Sequence, residues 1–332
     1  MTNKKIPTVL GVGNALVDVI SVLTDDNLLK DFGLPRGSMT LVDADRSKQI
    51  YDTTFSPKSE LTTGGSVANT MRGMANLGCS GGYMGRIGRD QLGELFLNDF
   101  ARRGLRTHLS YSDTSDTGRV MALVSSDSER TMATYLGAAA EMQASDFKAE
   151  VLEAYDYLYV EGYLVFNHNL ITAGVKAAKA AGLKVALDLS SFNVVEANLE
   201  FLKNLIAEYV DIIFANEEEA KAYTGLEPEA ALHEIAGQSE LAIVKLGKEG
   251  SLIKQGDEVV RVGSIPAKAL DTTGAGDAYA AGFFYGLTNG YHLETCGKIA
   301  ALVSGKVVEV MGPNLPDSAW DEVKKEIAKI VG

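Results

Sequence analysis

Residues 271–286 read Asp-Thr-Thr-Gly-Ala-Gly-Asp-Ala-Tyr-Ala-Ala-Gly-Phe-Phe-Tyr-Gly. A polar turn with two glycines leads into small and aromatic residues that suit a buried helix, and Asp277 lies where the turn becomes that helix. The backbone N–H groups of residues 274–277 would then be the unpaired donors of a helix N-terminus. Such donors, aided by the helix dipole, bind anions readily. The stretch therefore predicts an anion-binding turn that contains a carboxylate.

The acid inside this turn has two interpretations. An Asp in a first helical turn often only complements the dipole, and Gly-x-Gly after a polar turn is common. Alternatively, the carboxylate accepts a proton from an attacking hydroxyl while the amide groups hold a phosphoryl group. This stretch alone leaves both interpretations open, so the rest of the chain has to decide between them.

The composition is that of an ordinary globular enzyme. The chain has 332 residues, of which 46% are hydrophobic and 23% charged. This length suits one large domain, or one domain with a smaller appendage. The net charge of −13 argues against nonspecific binding to nucleic acid or to anionic membranes, because both require a basic surface.

The cysteines and the N-terminus bear on the cellular compartment. The two cysteines, Cys79 and Cys296, cannot form a disulfide framework, and the four scattered histidines do not indicate a zinc site. Residues 1–7 lack an apolar core of signal-peptide length, and no apolar run is long enough to span a bilayer. We therefore expect a reduced, cytoplasmic protein with neither nucleic acid nor membrane as a partner.

From residue 155 onward, predicted strands and helices alternate. The predicted strands are 155–160, 183–189, 211–215, 241–246 and 251–254, and the predicted helices are 171–181, 200–208, 217–223 and 228–237. This alternation predicts parallel strands with helices on both faces of the sheet. Upstream, a strand is predicted at 8–13, and helices at 66–77 and 91–103. The fold class is therefore α/β.

Two regions do not follow this alternation. They are the segment 19–62 and a pair of predicted strands, 119–125 and 131–136. We interpret them as a small β-rich lid formed by about residues 15–62 and 107–137. No linker or repeat divides the chain, so the lid belongs to a single domain over residues 1–332. Ligands of such a sheet bind at the carboxyl ends of its strands.

Motifs after the first strand suit a hydroxylated ligand. The stretch 11–16, Gly-Val-Gly-Asn-Ala-Leu, superficially resembles a dinucleotide fingerprint, but its third glycine is missing. Asp18 either caps a turn or accepts two hydroxyls of a sugar, because a carboxylate has several acceptor sites. Gly64 and Gly65 indicate either a tight turn or backbone close to a ligand, with the Asn69 amide one helical turn further on.

Two later motifs suit a nucleotide. Asn216 and Glu219 are three residues apart at a predicted helix start, where acids usually compensate the dipole. Their oxygens would also suit Mg²⁺ attached to a nucleotide, mostly through water. The stretch 244–250, Val-Lys-Leu-Gly-Lys-Glu-Gly, is either a hairpin turn or a loop over nucleotide phosphates.

Taken in order, these motifs resemble those of the PfkB (ribokinase-like) family of small-molecule kinases, essentially from end to end. The closing signature of that family matches residues 271–277, and the opening one matches Gly64, Gly65 and Asn69. Residues 85–94, Gly-Arg-Ile-Gly-Arg-Asp-Gln-Leu-Gly-Glu, are also similar to the family. The resemblance implies a three-layer fold, with a mostly parallel central sheet between helices and a small β-sheet lid.

The resemblance also implies a role for each matching residue. Asp277 would be the catalytic base, with Gly274, Ala275 and Gly276 forming the anion hole. The acceptor would be bound by Asn14, Asp18, Gly64, Gly65, Asn69 and Glu161. ATP would be bound by Asn216, Lys245, Gly247, Gly250, Thr272, Ala301 and Ser304. Asn216 and Glu219 would hold Mg²⁺ mostly through water, and Asp271 and Thr273 match positions that contribute to a K⁺ site in several relatives.

The acceptor is predicted from the lid. Asp18 and Gly64 are 46 positions apart, a longer insertion than ribokinase-like sugar kinases usually have. Residues 13–18 and 129–137 are most similar to the adenosine-kinase branch, and the apolar side chains of Met132, Tyr135 and Leu136 could cover a flat base. The sequence shows no clear basic pair near Asp18 or Asn69 for a phosphorylated acceptor. We therefore expect ATP-dependent phosphorylation of a primary hydroxyl, on a nucleoside in preference to a free sugar.

Other classes stay open. Glu161 at a strand end favours a free-sugar kinase, because sugar kinases of the family can use a carboxylate there on a hydroxyl. A dinucleotide-dependent oxidoreductase is disfavoured by the missing third glycine. A non-catalytic nucleotide- or sugar-binding protein is disfavoured by the intact turn with its Asp277. Some relatives dimerise through the lid sheet, so a homodimer is a further expectation.

Overall fold

The computed structural model describes residues 8–127 and 129–332. Within them, backbone pairing defines fourteen strands. The strands are β1 (Val9–Val12), β2 (Leu16–Val22), β3 (Met39–Leu41), β4 (Glu60–Gly64), β5 (Gly81–Ile87), β6 (Arg106–Tyr111), β7 (Gly118–Val124), β8 (Arg130–Tyr135), β9 (Tyr157–Glu161), β10 (Lys184–Asp188), β11 (Ile212–Asn216), β12 (Leu241–Lys245), β13 (Ser251–Gln255) and β14 (Glu258–Val262).

The same residues form thirteen α-helices. The helices are α1 (Asn27–Asp31), α2 (Ala44–Thr54), α3 (Ser66–Leu77), α4 (Gln91–Arg102), α5 (Ala149–Leu152), α6 (His168–Ala180), α7 (Phe192–Ala197), α8 (Leu199–Tyr209), α9 (Glu217–Thr224), α10 (Pro228–Ala236), α11 (Ala275–Thr288), α12 (Leu293–Val307) and α13 (Trp320–Val331). α3 begins and ends at the residues predicted from the sequence. None of the described helices combines the length and the apolar composition needed to cross a membrane.

Nine strands form the larger sheet, in the order β14-β13-β12-β11-β10-β9-β1-β5-β6. The seven strands from β12 to β6 are all parallel, and β13 and β14 add an antiparallel edge. The mostly parallel central sheet predicted from the strand–helix alternation is confirmed.

Alternating side chains of these strands divide the core into two layers. On β9, Leu158 and Val160 pack in an apolar cluster with residues of α6 and α8. Tyr159, between them, points to the opposite face, where its ring lies 5.1 Å from that of Phe284 on α11. Because successive strand side chains point to opposite faces, both faces are apolar and both need a helical cover. The three-layer fold follows from this pattern.

Five strands form the lid, in the order β3-β8-β7-β2-β4. On one face of this sheet, side chains such as Val19 and Met121 pack against Leu29 of α1 and Ile50 of α2. The interpretation of segment 19–62 as β-rich did not include these two helices. The opposite face carries Asp18 and Ile20, and the Ile20 side chain lies near Gly312, in the segment between α12 and α13.

The predicted start of the second lid segment, at residue 107, differs from the structure. Arg106–Tyr111 forms β6, which pairs in parallel with β5 at the edge of the large sheet. The reason is topological: β5, α4 and β6 form a crossover unit, and such a unit returns its second strand to the same sheet. The lid strands of this part of the chain are Gly118–Val124 and Arg130–Tyr135.

The position of the ligand crevice follows from the strand order. β1 lies between β9 and β5, so the chain extends the sheet on one side of β1 first and on the other side later. Connections that leave β1 and β9 diverge at the carboxyl ends of these strands, which opens a crevice there. Asn14, just after β1, and Glu161, at the end of β9, lie at this point.

The contact between α11 and α12 offers a test of the packing. A Cβ on Gly282 would lie 2.8 Å from Ala300 Cα and 2.9 Å from the Ile299 carbonyl oxygen, and backbone atoms cannot yield as a flexible side chain can. We expect Gly282→Ala to lower the free energy of unfolding, because overpacking costs about 1–3 kcal/mol and exceeds the helix-propensity gain of at most about 1 kcal/mol. Urea denaturation measures this difference.

The control for this variant is Gly263→Ala. Gly263 is exposed, and a Cβ there would meet nothing within 4 Å. Its stability should stay within about 0.5 kcal/mol of the wild type. Equal stability of both variants would show that the two helices separate without cost.

Candidate active site

The N-terminus of α11 presents backbone donors toward the crevice. Gly274 caps this helix with φ +74°, and a Cβ on it would lie 2.6 Å from Pro313 Cβ, so glycine is required on both counts. The Ala275 N–H donates to the Thr272 carbonyl at 3.1 Å. Within the described chain, the amides of Gly274, Gly276 and Asp277 have no partner. Three donors therefore remain for an anion, and the prediction that Ala275 contributes its amide is wrong.

The Asp277 carboxylate lies beside these donors and is held by α3. The Ser66 hydroxyl donates to Oδ1 at 2.7 Å, and Asn69 Nδ2 donates to Oδ2 at 3.0 Å. Burial raises the pKa of Asp277 to about 6, although these two hydrogen bonds oppose the shift. Asp277 is therefore ionised near neutral pH, and it is a stronger base than an ordinary aspartate.

The two glycines before α3 allow backbone and carboxylate to approach closely. A Cβ on Gly64 would collide with the Asp18 carboxylate, and one on Gly65, where φ is +98°, would collide with the Asn14 carbonyl oxygen. Burial raises the pKa of Asp18 to about 7, against the opposing charges of Arg130 and Arg72. Within the described residues, no group donates a hydrogen bond to this carboxylate, so its lone pairs are available.

Glu161 differs from its predicted role. It is only 1% exposed, and its Oε1 accepts from the Asn14 backbone N–H at 2.9 Å and from the Asn14 side-chain amide. Its Oε2 accepts from the Val67 N–H at 3.2 Å, at the start of α3. Both oxygens thus serve buried donors, and direct contact with an acceptor hydroxyl does not fit this geometry. Glu161 instead orients Asn14 and the first turn of α3.

Two arginines lie near Asp18, where the sequence showed no basic pair. Arg72 comes from α3, and the lid brings Arg130 to the same place. Arg72 already has protein partners. Its Nε lies 3.0 Å from Asp99 Oδ2, and its Nη1 donates to the Thr63 carbonyl at 2.9 Å. Arg72 lies three residues after Asn69, so the helical period would have placed both on one face of α3.

Lys245 lies beside the anion hole. Its Nζ is 3.0 Å from Asp188 Oδ2, and a Cβ on Gly276 would lie 3.3 Å from that ammonium. Asp188 Oδ1 accepts from the Ser190 N–H at 2.8 Å. Ser190, with φ +63°, is the one described non-glycine residue in the left-handed region, and such strain is common near functional sites. The ammonium therefore lies at the phosphoryl end of the predicted ATP site.

Asn216 and Glu219 form a capping box at the start of α9. Asn216 Oδ1 accepts from the Glu219 N–H, and the two Glu219 oxygens accept from the Asn216 N–H and side-chain amide, each at 2.8 Å. Burial raises the pKa of Glu219 to about 7, and the charge of Lys245 opposes the rise. Direct Mg²⁺ coordination would break this box, whereas water-mediated contact uses the remaining lone pairs. The described residues include no cluster of three metal-ligating side chains.

The other predicted ATP residues lie between β12 and β13, just before α11, and on α12. Gly250, with φ +96°, has no space for a Cβ beside the Val262 carbonyl, so the hairpin interpretation holds for it, whereas Gly247 faces open space. The Ser304 hydroxyl donates to the Ala275 carbonyl at 2.9 Å and ties α12 to α11. Thr272 supplies the carbonyl that accepts the Ala275 N–H, and Ala301 is buried one turn before Ser304.

The predicted K⁺ site is occupied by protein groups. Asp271 Oδ1 accepts from the Thr273 N–H at 2.9 Å, and Oδ2 accepts from the Gly312 N–H at 2.7 Å. Arg130 Nη2 also lies 2.9 Å from Oδ2, so the carboxylate already faces a positive charge. These residues do not fit a bound K⁺.

A family model described as pfkB family carbohydrate kinase matches residues 40–320. The chain belongs to this family. It is therefore an ATP-dependent kinase whose acceptor is an alcohol group on a small molecule. The family and the fold class predicted from the sequence motifs are confirmed.

Several relatives cover nearly the whole chain. The structure of adenosine kinase from Sinorhizobium meliloti is 36% identical, with a TM-score of 0.87, and the match covers 97% of this chain and 99% of that one. A probable sugar kinase from Rhizobium etli CFN 42 is 35% identical, with a TM-score of 0.88 and coverage of 98% and 100%. Adenosine kinase from Saccharomyces cerevisiae is 28% identical over 328 residues, covering 92% of this chain and 96% of the relative.

Four residues that sequence reasoning did not select belong to the site. Ser66 binds Asp277, and its spacing of three from Asn69 is a signal that could have found it. Asn314, whose side-chain amide donates to Asn69 Oδ1 at 3.2 Å, had no such signal. Asp188 and Arg130 also had no such signal, because the pairing of their strands with other strands brings them to the site.

The buried carboxyl groups predict how stability depends on pH. Burial raises the folded-state pKa of Asp18, Glu161 and Glu219 to about 7 and that of Asp277 to about 6. A raised carboxyl pKa means that the folded state holds the proton more tightly than the unfolded chain. The stability it contributes is therefore present below the unfolded pKa and is lost as pH rises through the folded pKa. We expect the free energy of unfolding in urea to fall between about pH 5 and pH 8.

Asp277→Asn removes one of these four groups and should flatten the fall between about pH 5 and pH 7. Asp321→Asn is the matched control, since Asp321 is exposed in the first turn of α13. Stability that rises steadily with pH over this range would contradict the assigned shifts.

Proposed function

We propose that the protein transfers the γ-phosphoryl group of ATP to a primary hydroxyl of a nucleoside, with Asp277 as the general base. One observation carries this proposal: the Asp277 carboxylate, whose pKa is raised, lies on the same helix turn as three unpartnered amides. A proton acceptor and a binding surface for the moving phosphoryl group are thus held together.

The reaction follows from this pairing. The acceptor hydroxyl points at Asp277, which takes its proton as the oxygen forms a bond to the γ-phosphorus. The bond between that phosphorus and the leaving oxygen of ADP breaks, while the amides of Gly274, Gly276 and Asp277 and the Lys245 ammonium meet the transferring oxygens. Asn216 and Glu219 would hold Mg²⁺ through water, and the ion would supply further charge neutralisation on the nucleotide phosphates. Closure of the lid excludes water, which would otherwise compete as acceptor.

The acceptor is held from the side of α3 and β2. Asp18 has lone pairs available for two ribose hydroxyls, and Gly64 and Gly65 let the ligand approach the backbone. Asn69 already points at Asp277, so it links the acceptor subsite to the base. Glu161 contributes through Asn14, which it holds in place.

The lid face above Asp18 favours a nucleoside. Register pairs Ile20 with Ala122, Ala122 with Met132, and Met132 with Met39, so these side chains share the face of Asp18. A Cβ on Gly312 would lie 3.9 Å from the Ile20 side chain, which supports an orientation of this face toward the α11 turn. An apolar wall adds affinity for a flat base but nothing for a small polyhydroxylated sugar. The kinship with a probable sugar kinase keeps a free sugar as the second candidate.

A homodimer would assemble through the lid sheet. The exposed Leu61 on β4 and Met39 on β3 lie on the two edge strands of this sheet, where a second copy could pair. The helices α1 and α2 cover one face of the lid, so a dimer would use an edge or the other face.

Removal of the base tests the mechanism. Asp277→Asn keeps the volume and one acceptor oxygen for the donors of α3, but it cannot take a proton. We expect turnover, measured by ADP release, to fall by a factor of about 10² to 10⁴ with the fold retained. In the wild type, log kcat should decline with unit slope below about pH 6, where Asp277 becomes protonated.

The control for this loss is Asp321→Asn, which places the same change in an exposed first helical turn. Near-wild-type turnover of Asp277→Asn, or a pH profile flat down to about pH 4, would remove Asp277 from the role of base.

The acceptor is tested by an ADP-release screen of nucleosides against free sugars. We expect a nucleoside to have the highest kcat/KM, and Ile20→Ser to raise its KM by about five- to tenfold with little change in kcat, because the lost apolar contact serves binding only. Val22→Ser, on the same face but 77% exposed at the far end of β2, should leave KM unchanged. A preference for free sugars would overturn the nucleoside assignment and leave the kinase assignment intact.

A further inference from the structure

The ion pair between Arg130 and Asp271 links the lid to the closing motif. Arg130 is the first residue of β8, and Asp271 begins the turn that leads into α11. Both side chains are 8% exposed, and Nη2 lies 2.9 Å from Oδ2. The N–H groups of Nε and Nη2 do not meet hydrogen-bond geometry with any described residue, so the contact is one of charge. A buried carboxylate thus has a fixed positive neighbour.

This carboxylate also shapes the anion hole. Asp271 accepts the amides of Thr273 and Gly312, and so joins the two loops that flank Gly274. Pro313, next to Gly312, is in contact range of Gly274. The positive charge of Arg130, next to the Asp271 carboxylate, therefore stabilises the turn that orients the amides of Gly274, Gly276 and Asp277.

We propose that the Arg130 guanidinium takes the place of a monovalent cation at Asp271, so that phosphoryl transfer by this protein does not depend on K⁺. The inference rests on the proposed kinase site, in which Arg130 is a positioning residue that acts through Asp271. A K⁺ bound there would need oxygen ligands, yet both Asp271 oxygens already accept amides and one faces Arg130. It would also face the repulsion of a buried cation at close range.

The lid sheet positions the Arg130 guanidinium. Arg130 pairs in register with Val124 of β7, and β7 pairs with β2, which carries Asp18. Arg130 is also one of the two cations that oppose the raised pKa of Asp18. The same lid sheet thus presents the acceptor-binding carboxylate and the cation that the closing motif needs.

The test compares K⁺ with tetramethylammonium as the only monovalent cation. Wild-type kcat should differ by less than about twofold between them. Arg130→Gln should lose activity in tetramethylammonium and regain about tenfold or more in K⁺, because an emptied cation position can then be filled. Arg130→Lys keeps a charge and should stay independent of K⁺. Arg119→Gln, on β7 with its Nε on Ser47, is the matched control and should behave as the wild type.

Thermal unfolding supplies a readout that does not depend on turnover. K⁺ should raise the Tm of Arg130→Gln but not that of the wild type, since only the variant offers a cation site. A wild type that requires K⁺, or an Arg130→Gln variant whose activity and Tm both ignore K⁺, overturns the inference. A wild type without kinase activity on any acceptor would instead refute the proposed function, and the Tm comparison would still decide the role of Arg130.

Discussion

The contact between α3 and α11 is the constraint on which the site depends. Ser66 and Asn69 bind the Asp277 carboxylate, and the Thr70 hydroxyl donates to the Asp277 main-chain carbonyl at 3.1 Å. Close approach of the helices is possible because Gly73 faces Ala281, where a Cβ would lie 2.7 Å from the alanine methyl group. Two distant glycine motifs are thereby joined into one unit. The base is aimed by a neighbouring helix and by its own helix together.

The fold could be predicted from the sequence where elements obey local periodicity. α3 was predicted to the residue, because its small and apolar residues start after a double glycine and end before Gly78, whose φ is +97°. The helices α1 and α2 were missed within a segment interpreted as β-rich. β6 was assigned to the lid because its place depends on pairing with β5, which no local pattern reveals. Strand partners are set by tertiary packing, and a single sequence does not display them.

The site was predictable to the extent that its motifs are contiguous. The turn at 274–277 and the pair Gly64 and Gly65 could be interpreted directly, because glycine at such positions has a steric reason. Glu161 was assigned to the acceptor since only its place at a strand end was known, whereas its burial beneath Asn14 is a tertiary fact. Asp188 had no signal, because its importance comes from Lys245 two strands away.

The two-sheet architecture has a consequence for how such enzymes can be recombined. Arg130 belongs to the lid sheet. Its ion-pair partner, Asp271, lies outside the lid, in the turn that leads into α11. Asp18, on the same lid, presses against Gly64 at the boundary between the two sheets. A lid exchanged for one that lacks a cation at the position of Arg130 would therefore leave the buried Asp271 carboxylate without its counterpart. Arg130 in the lid and Asp271 in the closing turn therefore have to be exchanged together, although more than a hundred residues separate them in the chain.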